Sequence, residues 1–169
     1  MTPAPLPADE DARLQALHAL MVLDTPPEER FDRVVRFAAE QLEMPMALVS
    51  LVDGDRQWFK SRVGIDVPQT GRDVSFCSYT ILQAGTFVVE DTLLDARFAD
   101  NPMVTGGPKV RFYAGTPLSA PGGERVGALC VLDSRPRALG PVELAVLDAL
   151  RTLVNEALAG QDADTGDAQ

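Results

Sequence analysis

Histidine and cysteine are nearly missing from this chain: its 169 residues hold one histidine, His18, and two cysteines, Cys77 and Cys130. Structural zinc takes about four nitrogen or sulfur ligands, so three dispersed residues exclude it, and no metal ligand is assigned. A Ser-His-acid or Cys-His catalytic set would have to recruit His18, which falls on the first helix, away from any cavity. Two cysteines cannot form a disulfide framework. Basic residues are also scarce, 15 Lys and Arg against 25 Asp and Glu, a net charge of −10. With no Lys/Arg cluster to offset it, that charge repels phosphate backbones and acidic lipid, so neither nucleic acid nor a membrane surface is an expected partner. No apolar run approaches the roughly 18 residues that would span a bilayer. The opening MTPAPLPADED has neither the basic stretch nor the apolar core of a secretory signal. The expected compartment is the cytoplasm, where the thiols stay free.

What is present is ordinary for a folded domain: 46% hydrophobic and 24% charged residues, in a length suited to one core. The organising stretch is Val110–Asp133. Two β-rich runs, Val110–Leu118 and Arg125–Asp133, flank Ala120-Pro121-Gly122-Gly123, which predicts a hairpin. In the second run Val126, Ala128, Cys130 and Leu132 alternate with Gly127, Leu129 and Val131. Both sets are apolar, so this strand should be covered on both faces.

Before it, residues 1–8 with three prolines read as a flexible arm. Leu14, Leu17 and Met21, with Leu20 adjoining, make a helical stripe over residues 9–21. Thr25-Pro26-Pro27-Glu28 has the form of a capping box, with Thr25 as N-cap and Pro26 as the first helical residue. Phe31, Val34, Val35, Ala38 and Leu42 would then be buried. Met46–Val52 and Gln57–Val63 form a first hairpin about the turn Asp53-Gly54-Asp55, with Trp58, Lys60 and Arg62 on one face. Ser75 caps a short helix over residues 75–82, Phe87–Glu90 is a short strand, and one helical turn falls near Phe98. Asp91, Asp95 and Asp100 cap and turn this middle segment. Pro141 opens a helix to about Leu158, and residues 160–169 form a disordered acidic tail. The expected fold class is α+β, with helices on one face of an antiparallel sheet and an irregular lid on the other. A lid of roughly 45 residues is where a small-molecule cavity would lie.

In this order the segments LDTPPEERFD (23–32), ALVSLVDGDRQWFK (47–60), DVSFC (73–77), DARFADNP (95–102), RFYAGTP (111–117) and GALCVLD (127–133) resemble a GAF domain of the bacterial sensory subtype, spanning residues 9–159. The resemblance implies a PAS/profilin-like sheet of five or six strands, with terminal helices on one face and any ligand beneath the lid. It also implies signal transduction, through an attached kinase, cyclase or phosphodiesterase in relatives. In a chain ending at the last helix, the output would pass through a kinase or cyclase partner, or through a homodimer pairing helices 9–21 and 141–158. Ser78 and Tyr79 after Cys77 argue against the Cys-His pair of bilin binders. The Asn-Lys…Phe…Asp-Glu signature of cyclic-nucleotide binders is missing. Free methionine sulfoxide reductases of this fold carry cysteines in the loop before the fourth strand, whereas 97–109 has none.

The expected site comprises Trp58, Lys60, Phe76, Cys77, Tyr79, Phe98, Arg111 and Tyr113, suited to a planar or anionic small molecule if Trp58 and Tyr113 share the cavity. No cofactor and no catalytic residue is assigned. Cys77 could be a redox switch or an attachment point, its pKa lowered near a helix start; a small packing residue is the plainer reading. Cys130 reads as packing, and a Cys77–Cys130 disulfide depends on a separation that sequence does not give. The primary expectation is a ligand-binding sensory module. A ligand-less scaffold and a Cys77-dependent reductase are the alternatives.

Overall fold

A computed structural model describes residues 1–160. The elements are α1 (Glu10–Ala19), α2 (Glu29–Gln41), β1 (Met46–Val52), β2 (Arg56–Val63), β3 (Gln69–Gly71), α3 (Cys77–Thr80), β4 (Phe87–Val89), α4 (Pro102–Thr105), β5 (Phe112–Ser119), β6 (Arg125–Asp133) and α5 (Pro141–Ala159). Six antiparallel strands run in the order β3-β2-β1-β6-β5-β4. The β5–β6 hairpin forms about its expected turn, and β6 lies at the centre with β1. Both are buried on two faces, as their continuous apolar character requires. The α+β class, the six strands and the helix-and-lid layering agree with expectation.

Two separate hydrophobic interiors result. On the helix side, Leu17, Phe31, Val34, Val35, Leu147, Leu150, Val154 and Leu158 pack onto Ala47, Val49, Leu51, Leu129 and Val131. On the lid side, Phe76, Cys77, Tyr79, Phe98, Met103 and Val110 pack onto Leu48, Phe59, Tyr113, Ala128, Cys130 and Leu132.

Several local expectations are corrected. The buried stripe of α1 is Arg13, Leu17 and Leu20, while Met21 is 77% exposed and turns out of the helix at a φ of 54°. The capping box does not form. Pro27 disfavours helical geometry at the preceding Pro26, so α2 starts at Glu29, with Glu28 still extended. The Thr25 hydroxyl donates to the Val22 carbonyl instead (2.5 Å). The helix expected over 75–82 shrinks to α3, although Ser75 Oγ still accepts the Ser78 amide (3.2 Å). The turn expected near Phe98 forms, with the Ala99 amide donating to Asp95 O (2.9 Å), and a further helix, α4, follows at Pro102, where Asn101 Oδ1 accepts the Met103 amide (2.7 Å). Asp91 and Asp95 do turn the segment, accepting the Leu93 and Arg97 amides.

Two bulges rearrange the faces. β1–β2 pairing passes from Val49↔Ser61 to Ser50↔Phe59, leaving Lys60 as the extra residue. Ser61 consequently meets the helix layer along with Trp58 and Lys60, and the expected common face with Arg62 is broken. In β6 the pairing jumps from Leu118↔Gly127 to Ser119↔Arg125. Val126 thereby leaves the Ala128–Cys130–Leu132 face and joins the helix-side interior. The arm 1–8, expected to be loose, lies against the lid: the Thr2 amide donates to Arg97 O (2.9 Å), and Tyr79 Oη donates to Thr2 O (2.5 Å). Of the expected tail, residues 161–169 lie outside the described residues.

Candidate functional site

The lid-side interior brings together five of the eight expected site residues. Phe76 stacks on Phe98 (centroids 4.6 Å apart) and on Tyr113 (5.1 Å), and Tyr79 meets the Phe98 ring edge-on (5.1 Å). Outside this stack the Arg97 guanidinium sits 5.1–5.2 Å from the Tyr79, Phe87 and Phe98 ring centres, a cation–π cover over the aromatic layer. Side chains therefore occupy the space under the lid where a planar ligand was expected.

At the floor of the stack is a polar chain. Thr80 Oγ1 and Tyr113 Oη are 2.7 Å apart, Tyr113 Oη donates to Cys77 Sγ (3.3 Å), and Cys77 Sγ lies 3.9 Å from Cys130 Sγ. Both thiols are free and buried. The Cys130 thiol and the Tyr113 hydroxyl hydrogen-bond to Cys77 and lower its pKa against the opposing effect of burial. Burial pushes Cys130 and Tyr113 well up. Gly115, paired with Cys130, makes this possible: a Cβ there would stand 2.1 Å from the Tyr113 hydroxyl.

The remaining three expected residues lie elsewhere. Trp58 packs in the helix-side interior, on the opposite face of the sheet from Tyr113. Lys60 is also on that side. Its ammonium donates to Thr25 Oγ1 and Pro26 O (2.7 Å each), pairs with Glu28 (2.6 Å) and lies 5.5 Å from the Phe31 ring centre. Trp58 and Lys60 do line a groove of about 440 Å³ with Thr25, Asp32 and Ser61, but it lies between α2 and β2. Arg111 grips Asp91 through both carboxylate oxygens (3.0 and 3.1 Å), fastening the lid to the start of β5. Trp58 faces the helices because it pairs with Leu51, whose side chain lies in that interior; the bulge at Lys60 only parts Arg62 from the face that Trp58 and Lys60 share.

Sequence reasoning missed a polar seam that joins the lid to α1. Glu10 accepts from Arg13 (2.9 and 3.1 Å) and from Arg72 (2.6 and 3.1 Å). Arg72 also donates to Asp53 O (3.0 Å), and Arg13 donates to Val52 O (2.6 Å). Burial raises the Glu10 pKa, but the two guanidinium groups outweigh it and hold the carboxyl at about 2. Next to this, Gln57 Oε1 accepts from Ser75 (2.7 Å) and Ser50 (3.2 Å), while Gln57 Nε2 donates to Thr70 (2.7 Å). The available signal was Arg13, spaced i, i+4, i+7 with Leu17 and Leu20 where an apolar residue is the rule.

The matched segments, the sheet order and the two-sided packing converge with direct comparison: residues 26–158 match the GAF domain family. The chain belongs to the GAF family. This is a sensory and regulatory fold, with roles in signal transduction. Over 155 residues the GAF chain is 42% identical to a cyclic di-GMP phosphodiesterase of Pseudomonas aeruginosa, covering 91% of this chain and 26% of that protein. It thus spans about a quarter of that relative's length. The GAF domain of a Coxiella burnetii phosphoenolpyruvate-protein phosphotransferase superposes with a TM-score of 0.66 at 15% identity, covering 90% of this chain and 96% of that one. A free methionine-R-sulfoxide reductase from Neisseria meningitidis superposes with a TM-score of 0.63 at 16% identity, covering 96% and 99%. At those identities the likeness is one of fold. No helix among the described residues is long and apolar enough to cross a membrane.

Proposed function

We propose that this GAF chain is a non-catalytic regulatory module that passes its state to an effector by protein contact, in signalling of the kind served by its cyclic di-GMP phosphodiesterase relative. The observation that carries this reading is the Phe76–Phe98–Tyr113 stack, whose rings lie in direct contact beneath the lid. A reductase role for Cys77 is disfavoured by the same packing, since rings stand where an organic substrate would have to be seated beside the thiol. The contact surface is assigned to the terminal helices, where Val142 (72% exposed), Leu153 (51%) and, just past α1, Met21 (77%) present apolar side chains to solvent. A homodimer through α1 and α5, or an effector seated on the same face, would cover them. Kinases, cyclases and phosphodiesterases are the effector classes to try first.

A second reading, a small-molecule sensor, draws support from the arm. Asn101 Nδ2 donates to Met1 Sδ (2.7 Å) and Tyr79 to Thr2, contacts that an incoming ligand could take over. Native mass spectrometry of freshly purified protein separates the two. The contact reading expects a dimer or a complex with an added cyclic di-GMP phosphodiesterase, at a mass with nothing extra bound. A stoichiometric retained metabolite would overturn it in favour of the sensor.

A further inference from the structure

We propose that Cys77 and Cys130 form a reversible oxidation site, closing a disulfide between lid and sheet in response to a hydroperoxide. The two sulfurs come from different layers, Cys77 from α3 in the lid and Cys130 from the central strand β6, yet they lie 3.9 Å apart. A disulfide needs about 2.05 Å between sulfurs, so the approach required is roughly 2 Å. The movable partner is a short one, a four-residue helix, whereas Cys130 is hydrogen-bonded into the sheet between β1 and β5. Two free cysteines among 169 residues thus meet inside one interior, where either alone would be plain packing.

The surroundings assign the roles. Tyr113 donates to Cys77 Sγ and the Cys130 thiol lies in contact with it, which favours the Cys77 thiolate as nucleophile, while burial holds the proton on Cys130. In the first step the Cys77 thiolate attacks one oxygen of hydrogen peroxide. The S–O bond forms, the O–O bond breaks, and hydroxide leaves to be protonated to water. The resulting sulfenic acid is then displaced by Cys130: an S–S bond forms, the S–O bond breaks, and a second water departs with the Cys130 proton. Two thiols lose two electrons and peroxide gains them. An external dithiol reverses the change by exchange. Both thiols are nearly closed to solvent, 2% and 0% exposed, so the oxidant must enter during local opening of the lid. The reaction is accordingly slow but directed, because the resolving thiol already stands beside the attacking one. The link would lock the lid onto the sheet and couple redox state to lid opening.

The full chain is treated with hydrogen peroxide under native conditions, then unfolded with a maleimide present and weighed. The expected product is a monomer two hydrogens lighter that takes up no maleimide, with the residue 77 and residue 130 peptides joined and both thiols recovered on adding dithiothreitol. Its Tm should exceed that of the reduced chain. Cys77→Ala and Cys130→Ala should each take up one maleimide before treatment and fail to form the internal link. Full alkylation after an exposure that leaves the circular dichroism native would overturn the proposal, as would sulfinic acid or a link between chains in place of the internal one. The outcome is independent of effector binding, so either proposal can fail alone.

Discussion

The two faces of the sheet are packed on different principles. The helix side is built largely from aliphatic groups on long periodic helices, and the buried Lys60 ammonium is met by three oxygen partners. The lid side is built from rings, two thiols and a buried tyrosine hydroxyl, held by short elements of three or four residues. The first arrangement supplies stability through continuous helical hydrogen bonding and burial. The second has little regular backbone, so opening it breaks fewer cooperative contacts. A regulatory fold gains from that division: a permanent back and a face able to change. The seam Arg72–Glu10–Arg13 crosses the boundary and connects the two.

Truncating one ring on each side gives the largest test of the contrast. Phe31→Ala and Phe98→Ala should each lower stability by about 3–5 kcal/mol in urea titration. Hydrogen exchange should then differ: Phe98→Ala speeds exchange chiefly in the 72–105 segment, whereas Phe31→Ala speeds it throughout. Uniform acceleration in both variants would erase the distinction. Lys60→Ala should cost about 2–3 kcal/mol by thermal or chemical unfolding, less than a fully buried pair because Glu28 keeps part of its hydration. A neutral result would remove Lys60 from the helix-side anchors.

The seam should respond to acid. The Glu10 carboxyl titrates at about 2 in the folded chain against 4.5 unperturbed. Its stabilisation is therefore complete above the unfolded value and is lost as pH falls toward about 2. Glu10→Gln should lower Tm at neutral pH and flatten the acid part of the Tm–pH curve; an unchanged slope would show that the seam is not coupled to folding. Smallest is Tyr113→Phe, expected to lower stability by about 1 kcal/mol. Loss of its donated hydrogen bond should raise the Cys77 pKa, followed by the ultraviolet absorbance of the thiolate.

Most of the architecture was legible because it rests on local rules. Two-sided apolar runs gave central strands, the Pro-Gly-Gly turn gave the β5–β6 hairpin, and Pro141 with its stripe gave α5. The aromatic half of the candidate site, Phe76, Tyr79, Phe98 and Tyr113, was also readable with Cys77. Trp58 and Lys60 were not: alternation put them on one face, but which layer that face meets is set by the pairing of Trp58 with Leu51, and the bulge that parts Arg62 from them is not announced by anything local in RQWFKSRV. Arg13 was overlooked because one of its acceptors, the Val52 carbonyl, lies 39 residues away, and the Glu10 carboxylate it grips is shared with Arg72, 62 residues from Glu10 along the chain.

By itself, then, the sequence determined the order of the longer elements, the antiparallel sheet with its two-sided centre, and membership of the GAF family, all written in spacings a few residues long, while the short β3 and α4 were not foreseen. Only the tertiary structure decided which core each β2 side chain enters and that Cys77 meets Cys130. It alone decided, too, that rings fill the space under the lid. Those outcomes depend on register shifts and on contacts between layers, where residues far apart in the chain meet and no local periodicity carries the information.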